Sequence, residues 1–234
     1  MVVHAILPAA DLGTRMAVPG VSAKQFLSLG GIPILIHSVR AFADKANVAS
    51  VTLAVRASEV DHVGQQLAQF GLADKVRVVT GGETRQESVA AALRSLKAEP
   101  GDIVLVHDAV RPLIDAPTIE RTIDAIAKHG AAIVGVGAVD TIKQVDRTAD
   151  GAIITATIPR ERIVQAQTPQ GARYAELIRA FDEAEADSFA GTDEASLLER
   201  AGITVAVVPG SPANLKITQP GDLELAEFYL RQRG

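Results

Sequence analysis

The sequence predicts an α/β fold: one mostly parallel sheet with helices on both faces and a protruding β-hairpin arm. Three observations predict it. Short runs rich in valine and isoleucine recur along the chain, apolar at successive rather than alternate positions, which is the pattern of strands buried on both faces. Longer segments with apolar residues at helical spacing stand between them and often end at glycine. Strand and helix therefore alternate, and right-handed crossovers then place helices on both sides of a parallel sheet.

Taken in order, VHAIL (3–7), VTLAV (51–55), VRVV (76–79), IVLV (103–106), AAIVGV (131–136) and ITVAVV (203–208) read as the strands. The intervening helices are PILIHSVRAFADKA (33–46), SEVDHVGQQLAQFG (58–71), TRQESVAAALRSLK (84–97) and APTIERTIDAIAKHG (116–130). GTDEASLLE opens a further helix near Thr192 and Asp193, and another starts at Pro220. Residues 141–170 break the rhythm: IKQVD and AIITATI flank a polar turn containing ADG, a hairpin signal. A two-stranded hairpin is marginal alone in water, so it packs either on its own domain or on a second subunit. The chain is read as one domain, 1–234, with 141–170 as a β-arm that serves a dimer.

Composition narrows the function. A formal charge of −5 argues against nonspecific nucleic-acid binding, which needs a basic face. The chain has no cysteine, which excludes a disulfide frame, a thiolate nucleophile and cysteine-ligated zinc. No apolar stretch approaches the length of a membrane-spanning helix, and the first residues lack a secretory signal pattern, so a cytoplasmic protein is expected.

In a parallel α/β sheet, ligands collect at the carboxyl ends of the strands, and the informative residues follow the strands here. After the first, PAADLGTRM has small Ala9, Ala10 and Gly13, which let a ligand approach the backbone and offer amide N–H groups to anionic oxygens, with Arg15 and Lys24 adding positive charge. A glycine-rich turn with two solvated cations is the plainer reading. After the third, GGETRQES offers a glycine turn, Gly82, and Ser88, suited to a base edge or simply to starting a helix. After the fourth, VHDAVRP puts Asp108 behind a buried strand, where it either holds Mg2+ or pairs with Arg111, while His107 reads as a hydrogen-bonded core residue. Lys216, in the apolar run NLKIT, requires an anionic partner.

Together, PAADLGTRM, AKQ, GGETRQESV, VHDAVRP, VDTIK, TIPRERI, QTPQ, TDEASLLE and NLKIT resemble, in order and over nearly the whole chain, the 2-C-methyl-D-erythritol 4-phosphate cytidylyltransferases of the non-mevalonate isoprenoid pathway. Their relatives, the ribitol 5-phosphate cytidylyltransferases, share much of the pattern. The resemblance implies a Rossmann-like nucleotidyltransferase fold, dependence on Mg2+ near Asp108, and a homodimer with interlocking arms. It implies CTP over Ala9, Ala10 and Gly13, near Asp108 and Ala109, with its base beside Gly82 and Ser88. Arg15, Lys24 and Lys216 are then the cations around the α-phosphate. Arg111, Asp140, Thr141, Arg160 from the partner and Thr192 are implied as contacts of the polyol phosphate.

Two positions depart from the family pattern: Asp11 where glycine is usual, and Ala23 where proline precedes the lysine. At ~5 Å from a triphosphate and an effective dielectric near 20, the Asp11 carboxylate repels one unit charge by roughly 3 kcal/mol. A nucleotide-binding homologue weakened in catalysis by Asp11 is therefore the alternative expectation, beside the ribitol phosphate enzyme.

Overall fold

Among the described residues, nine short strands and seven α-helices share the chain with one antiparallel pair of exposed strands. In chain order they are β1 (Val3–Pro8), β2 (Ser28–Leu29), β3 (Ile32–Pro33), α1 (Ile34–Ala43), β4 (Ser50–Val55), α2 (Val60–Gln69), β5 (Val76–Thr80), α3 (Arg85–Ser95), β6 (Ile103–Val106) and α4 (Ala116–His129). There follow β7 (Ala131–Gly137), β8 (Ile142–Thr148), β9 (Gly151–Ile158), β10 (Val164–Arg173), α5 (Tyr174–Ala186), α6 (Glu194–Arg200), β11 (Val205–Pro209) and α7 (Pro220–Gln232). The structure, a computed structural model, describes residues 1–10 and 24–233. Asp11, Gly13, Arg15 and Ala23 lie outside the described residues.

Seven strands form the main sheet in the order β11-β7-β10-β6-β1-β4-β5. All are parallel except β10, which runs antiparallel to both β6 and β7. The side-chain alternation of a strand divides the apolar runs between two layers. Ala5 and Leu7 of β1, Val51, Leu53 and Val55 of β4, and Ile103 and Leu105 of β6 pack with α1, α2 and α4. Ile6, Ala54, Val104 and Val106 pack with α3, α5 and α6 on the opposite face. Both faces are covered, which is why these strands read as continuous apolar runs. A third cluster joins α7 to Leu29, Ile34, Val110 and Ile217 at the edge of the body.

The chain moves from β1 out to β4 and β5, then returns to β6 on the other side of β1. Strand order reverses between β1 and β6, and their carboxyl ends flank the crevice where such sheets bind ligands. Among the described residues no helix is long and apolar enough to cross a membrane.

The six expected strands and four expected helices are present, whereas the segment 141–170 is corrected. The hairpin itself is β8 and β9, which among the described residues pair only with each other, in a separate sheet, and are almost wholly exposed. Residues 164–170 belong instead to β10, inside the main sheet. That strand carries Gln167, Thr168 and Gln170 at buried positions, where amide and hydroxyl groups bond internally, so it lacks the apolar signature of its neighbours. Its Gly171 is required by packing: a Cβ there would stand 2.2 Å from the Val104 carbonyl oxygen.

Candidate active site

β1 ends at Pro8, and the two alanines after it are small enough to leave space above the sheet. A cavity of about 300 Å3 opens there, walled by Ala9 and Ala10, by the start of α3, by Asp108 after β6 and by Lys24 and Lys216. It sits at the switch point between β1 and β6. The Ala9 amide is consumed by the Ala54 carbonyl at 2.7 Å, because the β1–β4 ladder runs one residue past the strand. Ala9 thus contributes its small size and not a free donor, which corrects the expectation for it. The Ala9 carbonyl accepts from Gln25 Nε2 at 2.8 Å and the Ala10 carbonyl from Arg56 Nε at 2.6 Å, so two side chains fix the turn where ligand space begins.

The glycine turn before α3 is built by capping. Thr84 and Glu87 form a reciprocal capping box, and Ser88 Oγ accepts from the Gly82 amide at 3.1 Å while donating to the Thr84 carbonyl at 2.8 Å. Ser88 lines the cavity, but its hydroxyl shapes the turn. Gly82 is needed for the same reason, since a Cβ would meet Glu87 Cβ at 2.3 Å.

Asp108 is the centre of charge. Its carboxylate receives Arg85 Nε at 3.0 Å, Lys216 Nζ at 3.1 Å and Arg111 Nε at 3.4 Å. Burial alone would push the Asp108 carboxyl up, but the three cations hold it well below the usual carboxylate range. Arg85 extends the network, giving both terminal nitrogens to Glu194 at 2.8 and 2.9 Å. Burial opposes the charge on Arg85, and Glu194 and Asp108 together raise its pKa despite that. Three cations against two carboxylates leave this cluster one net positive charge in an otherwise acidic protein.

Arg111 is not among the residues that line the cavity; it donates to the Asn214 carbonyl at 2.8 Å, tying the Asp108 loop to the irregular run that carries Lys216. His107 is fully buried, with Nε2 3.0 Å from the Arg111 carbonyl and Nδ1 3.0 Å from Thr168 Oγ1. Desolvation lowers its pKa to about 4, so it is neutral at pH 7 and serves the core, as the sequence suggests. Ala109 is buried, its carbonyl bonded by Ser38 Oγ at 2.9 Å.

Of the residues expected in the site, Ala9, Ala10, Lys24, Ser88, Asp108 and Lys216 meet at one cavity. Asp140, Thr141 and Arg160 do not; they are exposed near the base of the hairpin, where Arg160 Nη1 donates to the Val139 carbonyl at 2.6 Å. Thr192 lines a separate small recess that it shares with Arg85 and Gln86. Arg56, Arg85 and Glu194 were not expected. Arg85 stood inside the quoted GGETRQES, but its partner Glu194 is 109 positions away, and no local pattern joins them.

Residues 3–232 match the family profile described as IspD, 2-C-methyl-D-erythritol 4-phosphate cytidylyltransferase. A protein of that name from Acidobacterium capsulatum is 64% identical, over 100% of this chain and 99% of the relative. Another, from Solibacter usitatus, is 51% identical over 99% of this chain and 97% of its own length. Among solved structures, 2-C-methyl-D-erythritol 4-phosphate cytidylyltransferase from Francisella tularensis superposes with a TM-score of 0.82 at 34% identity, covering 97% of this chain and 99% of that one. The 4-diphosphocytidyl-2C-methyl-D-erythritol synthase from Anaerococcus prevotii gives a TM-score of 0.84 at 28% identity, covering 98% and 96%. By the extent of these matches, by its sheet order and by the cavity at its switch point, this chain belongs to the 2-C-methyl-D-erythritol 4-phosphate cytidylyltransferase family.

Proposed function

We propose that this protein transfers CMP from CTP to 2-C-methyl-D-erythritol 4-phosphate with release of pyrophosphate. The observation that carries the reading is the cationic cluster around Asp108 at the switch point, beside the small-residue turn at Ala9 and Ala10, in a chain that aligns with the family from end to end. A phosphate oxygen of the acceptor attacks the α-phosphorus of CTP, a new P–O bond forms and the bond to pyrophosphate breaks. Charge grows on the phosphorus oxygens and the leaving group, and fixed cations at the cavity stabilise it without reorganisation. Lys24 and Lys216 line the cavity and take this role, together with Arg15, which lies outside the described residues. Asp108 holds Lys216 and orients it rather than reacting.

Magnesium enters this reading with the nucleotide: Asp108 lines the cavity, but its two oxygens already take Arg85, Arg111 and Lys216, so triphosphate oxygens and water would fill most of the shell of the ion. The ion would supply further charge neutralisation. A cytoplasmic homodimer is part of the same proposal; its dimer part is supported by the hairpin, where Ile153 and Ile154 are 63% and 60% exposed, apolar surface that a second copy would cover while supplying its Arg160 to the neighbouring site.

The test is pyrophosphate release from CTP with Mg2+ and methylerythritol phosphate, run beside ribitol 5-phosphate and beside the Asp11→Gly variant. Turnover with the methylerythritol compound and not the ribitol compound is expected. A preference for ribitol phosphate would remove the reading of the acceptor, and silence restored by Asp11→Gly would make Asp11 a block to catalysis.

A further inference from the structure

We propose that the first turn of α3 is a positioning element for the acceptor: Arg85 and Gln86 hold the segment 189–194 in register with the nucleotide-binding turn that precedes them. This inference rests on the proposed reading in which Thr192 contacts the acceptor phosphate.

Two neighbouring residues grip the same distant segment by different chemistry. Arg85 forms a two-pronged pair with Glu194, at 2.8 and 2.9 Å, while its Nε stays on Asp108 at 3.0 Å. Gln86 uses both ends of its amide: Nε2 donates to the Phe189 carbonyl at 3.1 Å, and Oε1 accepts from the Gly191 amide at 2.9 Å. Thr192 lies between these anchors, beside Arg85 and Gln86 in one recess. Glu194 is 1% exposed, so its charge is committed to Arg85.

The geometry has a direct consequence for catalysis. The glycine turn at Gly81 and Gly82 runs straight into α3, so a shift of that turn is carried by Arg85 and Gln86 to the segment with Thr192. The distance between the two substrates is therefore set through α3 and not through the loop 187–193 itself. A planar guanidinium fork fixes direction as well as distance, which a lysine at position 85 cannot do.

The experiment compares acceptor and CTP kinetics for Gln86→Ala, Arg85→Lys and Glu194→Gln, with Thr192→Val as a reference and thermal unfolding as a check on folding. Gln86→Ala serves as the mild variant, because Gln86 is only half-buried and its loss spares the buried ion pair. In Gln86→Ala, losing such positioning hydrogen bonds is expected to raise the KM for the acceptor roughly tenfold, with the KM for CTP changed less than about twofold; Arg85→Lys and Glu194→Gln, which also disturb the cation cluster at the nucleotide cavity, are expected to raise the acceptor KM at least as much. A parallel rise in both KM values for Gln86→Ala would overturn the inference, since general loosening does that. So would an unchanged acceptor KM in Gln86→Ala while Thr192→Val raises it. A wild-type protein with no acceptor turnover would instead overturn the underlying function, and the inference with it.

Discussion

Asp108→Asn changes one oxygen to an amide nitrogen and leaves three cations converging on a neutral group. In the wild-type protein the Arg85 contact at 3.0 Å is worth a gross attraction of about 5 kcal/mol at an effective dielectric near 20, and the Arg111 contact at 3.4 Å nearly as much. Lys216 has a side chain 37% exposed, so its contact is screened and counts for less. Desolvation of the buried charges offsets most of that attraction, and removing one partner of a buried pair leaves a net loss of about 3–5 kcal/mol. For a chain of this size that lowers Tm by roughly 6–20 °C. Differential scanning calorimetry at pH 7, with pyrophosphate release measured on the same samples, reads both consequences, and activity is expected to fall at least a hundredfold as Lys216 and Arg85 lose their anchor. A Tm within about 2 °C of wild type would refute the argument that Asp108 holds this cluster together.

Three further outcomes follow from the same geometry. The pKa of His107 is lowered by folding to about 4, so between pH 6.5 and 4 the unfolded chain binds the extra proton; stability is full above about pH 6.5 and falls on acidification, by about 2 kcal/mol at pH 5. Urea midpoints at pH 7 and 5 check this, and His107→Gln should flatten the slope. Gly64→Ala, in the exposed interior of α2 with nothing within 4 Å of the new Cβ, should stabilise by about 0.5–1 kcal/mol, whereas Gly171→Ala drives a Cβ against the Val104 carbonyl and should abolish soluble protein or lower Tm sharply. Ile153→Asp with Ile154→Asp should convert a dimer to a monomer in light-scattering measurements, and an unchanged mass would remove the hairpin from the interface.

The alternation of buried strands and amphipathic helices was legible in the chain because a strand covered on both faces must be apolar throughout, which gives the six strands, and a helix covered on one face repeats its apolar residues at helical spacing, which gives the four helices. So was the place of the site, since Ala9, Ala10, Ser88 and Asp108 follow strands and parallel strands open their ligand crevice at those ends. The need of Lys216 for an anion was visible too, because a cation in an apolar run is costly when unpaired. Its partner was not. β10 escaped notice because its buried glutamines and threonine are satisfied by hydrogen bonds that form only when distant segments meet. The pairing of Arg85 with Glu194 and the consumption of the Ala9 amide by Ala54 belong to the same class. Apolar burial leaves a periodic trace along a sequence, whereas a specific polar contact between residues 109 positions apart is decided by the packing of whole elements, and only the tertiary structure carries it.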